Sequence, residues 1–176
     1  MLLATSAVKS TLKNEVRVIF VSSLAAEMYH EKRVCINMDY LDYHRPKSSL
    51  HRYGISKVGV WAYGVEFSKR FEADGVLGVA VNPGNLRSDL FSRQSFLFRL
   101  QVALMHYPAV NGAYTELFAG LSHEVASDKA EYVVPFGRFH PICEDLEIAG
   151  RPETEGGVDL TRKFWEWSEK QVEEFV

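Results

Sequence analysis

The sequence predicts an α/β fold: an open, doubly wound, mostly parallel sheet with helices flanking it. Three observations predict it. Two short apolar runs rich in β-branched residues, 16–21 and 76–81, are separated by a long amphipathic stretch of helical period. Each run stops abruptly, the first at Ser22-Ser23 and the second at Asn82-Pro83-Gly84. The order along the chain is helix, strand, helix, strand, helices, strand, helix, the alternation that right-handed βαβ crossovers produce.

Residues 1–13 read as the end of a helix. Leu2, Leu3, Ala7, Val8 and Leu12 recur at helical spacing, Lys9 and Lys13 suit a helix C-terminus, and Asn14 caps it. Val16-Arg17-Val18-Ile19-Phe20-Val21 is nearly all apolar, as a strand buried on both faces of a parallel sheet must be. Residues 24–52, rich in His, Tyr and Asp, read as a long loop with room for one short element. Tyr53 to about Ala73 is the strongest helix, with Val58, Trp61, Ala62, Val65, Phe67 and Phe71 largely on an apolar stripe and Asp74-Gly75 closing it. A second buried strand spans 76–81. Helices are expected over 92–106 and 111–126, separated by Pro108, and a last strand over 131–136, between Lys129 and Pro135. A Gly/Pro/Glu loop at 149–157 precedes an amphipathic helix over 158–175. No repeat or linker interrupts the chain, so residues 1–176 are expected to form a single domain.

Composition narrows the function classes. Of 176 residues, 47% are apolar and 24% charged, and the net charge of -3 leaves no basic footprint for nucleic acid. Cys35 and Cys143 lie far apart in no paired motif, which predicts reduced thiols in an intracellular protein. The opening Met1-Leu2-Leu3-Ala4 is too short for a signal peptide, and no apolar run approaches the ~20 residues of a membrane helix. A cytoplasmic location with no membrane span is therefore expected. His140, Cys143, Glu144 and Asp145 match no standard metal-ligand spacing, and no metal is expected. His44 and His51 read as solvated loop residues. Trp165 and Trp167, two apart on a helix, cannot both face the core; one packs and the other is free to line a substrate lid. Glu169, Glu173 and Glu174 read as a solvated helix face.

Ligands of open α/β sheets sit at the carboxyl ends of the strands, where Ser23 and Asn82-Pro83-Gly84 lie. Tyr53-Gly54-Ile55-Ser56-Lys57 is a Tyr-x-x-x-Lys motif, and Tyr43-His44-Arg45-Pro46-Lys47 fits the same pattern. The chemistry separates them. Tyr and Lys share a face at i and i+4 only if the segment is helical. Pro46 breaks the second pattern, whereas Tyr53 opens a long helix without proline. A phenol titrates near ~10, too high for easy proton transfer at neutral pH. A nearby ammonium favours the phenolate, so Lys57 can tune Tyr53 as an acid/base. A Ser23 hydroxyl can hydrogen-bond a substrate carbonyl that Tyr53 protonates. Gly84 lets a flat ring approach the backbone, and Ser88 can hold an amide. Each feature also has a plain structural reading: a surface Tyr and Lys, a capping serine pair, a strand-ending turn.

In its order of strand-Ser-Ser, helix-opening Tyr-x-x-x-Lys and strand-Asn-Pro-Gly, the chain resembles the short-chain dehydrogenase/reductase family over roughly residues 1–136. The resemblance is nearest to fungal, retinol-dehydrogenase-like members, which also show segments like Asn82-Pro83-Gly84-Asn85-Leu86 and Lys163-Phe164-Trp165-Glu166-Trp167. It implies a Rossmann-like fold in which Ser23 polarises the carbonyl and Tyr53 is the general acid/base. Lys57 would tune Tyr53 and bind the nicotinamide ribose. Pro83, Gly84, Leu86 and Ser88 would touch the nicotinamide, Ser88 standing where the family usually has Thr. NADP(H) is the cofactor implied, with NAD open. The family's Thr-Gly-x-x-x-Gly-x-Gly turn, its Asn-Asn-Ala-Gly strand and the upstream Asn of its catalytic set find no match. Gly54, Gly59 and Gly64 run through a helix face and cannot replace that turn. The chain is therefore expected to be the C-terminal catalytic portion of a Rossmann-like sheet, with the N-terminal βαβ units missing.

Three readings are open on the sequence. The first is an NADP(H)-dependent oxidoreductase interconverting a small-molecule carbonyl and an alcohol. The second is a truncated, non-catalytic relic or interaction protein that does not bind cofactor alone. The third is an epimerase- or dehydratase-like member of the family's extended branch, against which the short tail after residue 136 argues. The strand at 16–21, short of a neighbour, also predicts a homo-oligomeric or aggregation-prone chain.

Overall fold

Two six-residue strands organise the molecule. In the computed structural model, which describes residues 15–87, 106–125 and 132–175, β1 (Val16–Val21) and β2 (Val76–Val81) run parallel. They stay in register from Val16 opposite Val76 to Val21 opposite Val81. The short β3 (Val133–Val134) continues the sheet in parallel at Val81, and β4 (Arg138–Phe139) returns antiparallel to β3, giving the order β1-β2-β3-β4. The helix expected over 1–13 and all but the last residue of that expected over 92–106, with Asn14, Ser88, Lys129 and Glu131, lie outside the described residues. The α/β class holds: a mostly parallel sheet carries helices on both faces.

Side chains of β2 alternate between the two faces, as a period of two demands. Gly78 and Ala80 face the long helix α2 (Ser49–Phe71), where Gly64 approaches Ala80 closely. Leu77, Val79 and Val81 pack on the other face with Ala119 and Phe118 of α3 (Ala109–Leu121). Arg17 belongs to this second face. Its guanidinium donates to the Ala119 and Ser122 carbonyls, at 3.2 and 2.8 Å, supplying partners that the end of α3 lacks. β2 is buried along its whole length, whereas every residue of β1 keeps partial exposure. Among the described residues nothing pairs with the second edge of β1.

Several boundaries differ from those the sequence predicts. The segment 24–52 holds two short elements, α1 (Leu24–Met28) and a 3-10 turn at Met38–Tyr40. α2 begins at Ser49, a turn before Tyr53, because the Ser48 hydroxyl accepts from His51 N–H as an N-cap. It gives way to a 3-10 turn that ends at Gly75, in the left-handed region at φ +79. α3 covers 109–121 rather than 111–126, starting directly after Pro108. The strand expected over 131–136 is only two residues long. Phe136 and Gly137, at φ +67 and +64, turn the chain back into β4. A further helix, α4 (Glu144–Gly150), precedes α5 (Leu160–Val172).

Gly54, Gly59 and Gly64 do not share a face. Steps of five residues rotate them around the helix, and each meets a different neighbour: Tyr29 and Ala25, Phe164 of α5, and Ala80 of β2. α2 is thus held on three sides. Against α5 it presents Tyr63, Phe67 and Phe71, which surround Trp165, while Trp167 stacks on Phe164 at 5.8 Å. The buried Glu66 is satisfied within the same contact, accepting from Thr161 at 3.0 Å and Arg70 at 2.9 Å.

Candidate functional site

The carboxyl ends of β1 and β2 meet the second and third turns of α2. Ser22 lies 1% exposed at this junction. Its N–H donates to the Val81 carbonyl at 2.7 Å, and its hydroxyl donates to the Lys57 carbonyl, also at 2.7 Å. Lys57 answers with its side chain, the ammonium donating to the Val21 carbonyl at 2.9 Å. The same ammonium stands 5.7 Å from the centroid of the Tyr53 ring. Burial lowers the Lys57 pKa below the ordinary lysine value. The half-buried Tyr53 hydroxyl has no hydrogen-bond partner among the described residues.

Ser23 is the N-cap of α1. Its hydroxyl accepts from Ala25 N–H at 3.2 Å, and its carbonyl accepts from the Tyr132 hydroxyl at 3.3 Å. Tyr132 is completely buried, and burial raises its pKa far above the ordinary phenol value, so it remains a protonated donor. The Ser23 hydroxyl makes no hydrogen bond to Tyr53. Tyr53, Lys57 and the Val21–Ser23 strand end are therefore assembled at one place, with the Ser23 and Tyr53 hydroxyls unlinked.

The turn after β2 completes the site. Asn82 N–H donates to the Val133 carbonyl at 2.8 Å, and the Asn82 side-chain oxygen accepts from Gly84 N–H at 2.9 Å. Gly84 sits at φ +94, where a side chain is strained, and a Cβ there would lie 2.8 Å from Pro135. Asn85 and Arg87 exchange backbone hydrogen bonds with Tyr107, at 2.8 Å each, and Leu86 covers Gly112. Pro83, Gly84 and Leu86 thus belong to a fixed turn beside the strand ends.

The competing Tyr-x-x-x-Lys pattern is dismantled. Tyr43 adopts φ +55 outside any helix, and Lys47 is engaged 3.1 Å from Glu31. Glu31 also bonds His51 at 3.0 Å, so His51 is a half-buried residue of the first turn of α2 rather than a solvated loop residue. The hydrogen bond from Lys47 is the main reason the Glu31 carboxyl lies below the ordinary glutamate value. Cys35 is buried and free, with its thiol pushed up to about 12 by burial, which makes it a poor nucleophile. A cavity of about 390 Å³ lies elsewhere, between α2, β2 and α4, lined by Trp61, Ser68, Gly78 and Gly150 and by no candidate site residue.

Sequence reasoning did not single out Ser22, Tyr132 or Glu31. Ser22 was visible only as the first member of a serine pair. Tyr132 reaches Ser23 across 109 positions of sequence, a contact no local pattern encodes.

No family model matches the chain. Curated relatives do. A short-chain dehydrogenase/reductase of Phomopsis amygdali is 43% identical over 174 residues, covering 96% of this chain and 52% of the relative. The short-chain dehydrogenase/reductase bet4 of Neocamarosporium betae is 41% identical, over 92% of this chain and 47% of its own length. That of Emericella nidulans, pkfC, is 36% identical over 96% of this chain and 52% of its own. The chain belongs to the short-chain dehydrogenase/reductase family. It spans about half the length of the curated relatives it matches. The fold agrees with a solved structure, an uncharacterized protein from Mycobacterium paratuberculosis, at a TM-score of 0.53 and 23% identity over 84% of this chain and 49% of that one. Among the described residues no helix is long and apolar enough to cross a membrane.

Proposed function

We propose that this short-chain dehydrogenase/reductase chain carries the proton-transfer site of an NADP(H)-dependent oxidoreductase that interconverts a small-molecule carbonyl and an alcohol in the cytoplasm. One observation carries the reading. The Tyr53 hydroxyl is unpartnered among the described residues, beside the Lys57 ammonium, at the carboxyl ends of two parallel strands. The nicotinamide cofactor, when bound, supplies the hydride to the carbonyl carbon or accepts it from the alcohol. Its fit is supported by the unpartnered Tyr53 hydroxyl and by the position of the Asn82–Leu86 turn at the carboxyl end of β2.

Every other step falls to the chain. In reduction Tyr53 gives its proton to the carbonyl oxygen as the carbon–oxygen double bond becomes a single bond. In oxidation Tyr53 takes that proton back. The Lys57 ammonium favours the phenolate left behind and offers N–H donors to a ribose. Ser23, freed from Ala25 by rotation of its hydroxyl, donates to the substrate oxygen. Pro83, Gly84 and Leu86 would flank the nicotinamide, and the resemblance gives the same task to Ser88, which lies outside the described residues. Consumption of NADPH by the full-length protein across a panel of aldehydes and ketones tests the activity. Turnover with NADPH on at least one carbonyl is expected, and none with either NADPH or NADH contradicts it.

A second reading, a non-catalytic relic or interaction protein that does not bind cofactor alone, is supported by the chain's spanning only about half the length of the curated relatives it matches. Fluorescence titration of that chain with NADPH separates the readings. Weak or absent binding is expected, and micromolar binding by a monomer overturns it.

A further inference from the structure

Lys57 is held to the end of β1 at both of its own ends. Its carbonyl accepts from the Ser22 hydroxyl at 2.7 Å, and its ammonium donates to the Val21 carbonyl at 2.9 Å. Ser22 also binds the end of β2 through its N–H and the Val81 carbonyl at 2.7 Å. Three segments carry all the candidate groups: the residue after Ser22, the helix bearing Tyr53 and Lys57, and the turn that starts at Asn82. Ser22 is bonded to, or adjacent to, each of them.

From this we propose that Ser22 is a positioning residue for the reaction, setting the height of the Tyr53–Lys57 turn of α2 against Ser23. The proposal rests on the reading of Tyr53 and Lys57 given above. The physical reason is leverage. Ser68 fixes the C-terminal part of α2 on β2, bonding both the carbonyl and the N–H of Gly78 at 2.7 and 2.9 Å, and leaves the register of the Tyr53–Lys57 turn to contacts at its own end of the helix. A buried hydroxyl bonded to a single helix carbonyl supplies that register. Ser22 is 1% exposed, so it does not touch substrate and acts through its neighbours: Lys57, Ser23 and the buried Tyr132 hydroxyl, which also contacts its side chain. Without the bond, the Lys57 carbonyl keeps its intrahelical partner, and the Tyr53–Lys57 turn of α2 can shift by a fraction of an ångström while Ser68 holds the rest of the helix on Gly78. The Lys57 ammonium then leaves its place beside the Tyr53 ring.

The test compares Ser22→Ala, which deletes the donor, with Ser22→Thr, which keeps it, in the full-length protein. The readouts are kcat, KM and the pH profile of turnover. Ser22→Ala is expected to lower kcat by on the order of tenfold to a hundredfold with KM for the carbonyl little changed, since misplacement by a fraction of an ångström to one ångström has effects of that size. It should also move the tyrosine-dependent limb of the pH profile upward, because the phenolate loses part of its ammonium neighbour. Ser22→Thr should restore both. Should Ser22→Ala not fold, Ser22→Cys, similar in size and only a weak donor, carries the same comparison. A Ser22→Ala protein with the native pH profile and kcat overturns the proposal, even if its melting temperature falls. Tyr53→Phe, run in parallel, keeps the two ideas apart: if Tyr53→Phe retains turnover, the underlying reading fails. If it is inactive while Ser22→Ala behaves as the native protein does, only the positioning role fails.

Discussion

Gly54 stands beside Tyr53 in the motif, and the structure gives it a packing task that can be measured. A Cβ at this position would lie 2.5 Å from Tyr29 Cβ and 2.8 Å from the Ala25 carbonyl oxygen. Ordinary contact begins at 3.4 Å, so Gly54→Ala must move α1 and α2 apart by about 1 Å. α1 has five residues and α2 has 23, so the shorter helix gives way. α1 is capped by Ser23, so its displacement is expected to move Ser23 relative to the Tyr53–Lys57 turn. Overpacking of this kind costs about 1–3 kcal/mol, and alanine in place of glycine in a helix returns about 1 kcal/mol. A net loss of up to about 2 kcal/mol is expected, together with turnover lowered by about 10²-fold from the misplaced serine. Gly120→Ala is the control. There a Cβ meets only Ile19, at 4.0 Å, and a gain of up to about 1 kcal/mol is expected. Thermal melts and steady-state turnover of the full-length protein measure both effects. Gly54→Ala with native melting temperature and native turnover would refute the contact between α1 and α2 and its link to Ser23.

Two further perturbations probe charge. Lys57→Met should abolish most turnover while leaving the melting temperature unchanged or raised. The folded state depresses the lysine pKa through burial, so the charged form is disfavoured there and stability climbs as pH rises through the depressed value. The native protein should show that alkaline gain by pH-dependent melting and the variant should not; an identical rise in both would contradict it. Glu31 has the opposite sense: its pKa is lowered, so its pairing with Lys47 and His51 stabilises the fold above the ordinary glutamate value and is lost as pH falls through the depressed one. Glu31→Gln should lower stability at neutral pH by about 1 kcal/mol or less, as for partly exposed pairs, and should match the native protein in acid; a deficit that persists in acid would point to packing instead.

The long elements were legible because their patterns are long. β1 and β2 have the boundaries that their apolar runs and stop signals predict, and Gly75 ends the α2 region where Asp74-Gly75 places it. Pro46 alone sufficed to discard the competing motif, and Tyr43 and Lys47 indeed share no helix. The short elements were not legible. β3 and β4 have two residues each, too few to express a period, and the turn between them is set by positive φ at Phe136 as well as at Gly137. α4 has three acidic residues in its first turn and no side-chain cap, so its sequence resembles a polar loop. The start of α2 was written in Ser48, but the irregular segment before it masked the signal. At the site, strand ends and motif spacing foretell that Lys57 stands beside Tyr53 and reaches the end of β1, while the Ser23 hydroxyl turns to Ala25 N–H instead of Tyr53. The groups that hold them, Ser22, Tyr132 and Gly54, act through contacts with residues 35, 109 and 25–29 positions away and carry no local mark.

Tyr53→Phe in the full-length protein tests the proton-transfer role most directly, because it deletes one oxygen that has no hydrogen-bond partner among the described residues and leaves the packed ring beside Lys57. Turnover is measured as carbonyl-dependent NADPH consumption, with cofactor binding and melting temperature followed on the same preparation. A loss of about 10²–10⁴-fold in kcat, with folding and NADPH binding retained, is the predicted result. Near-native turnover in Tyr53→Phe would contradict it and remove Tyr53 as the acid/base.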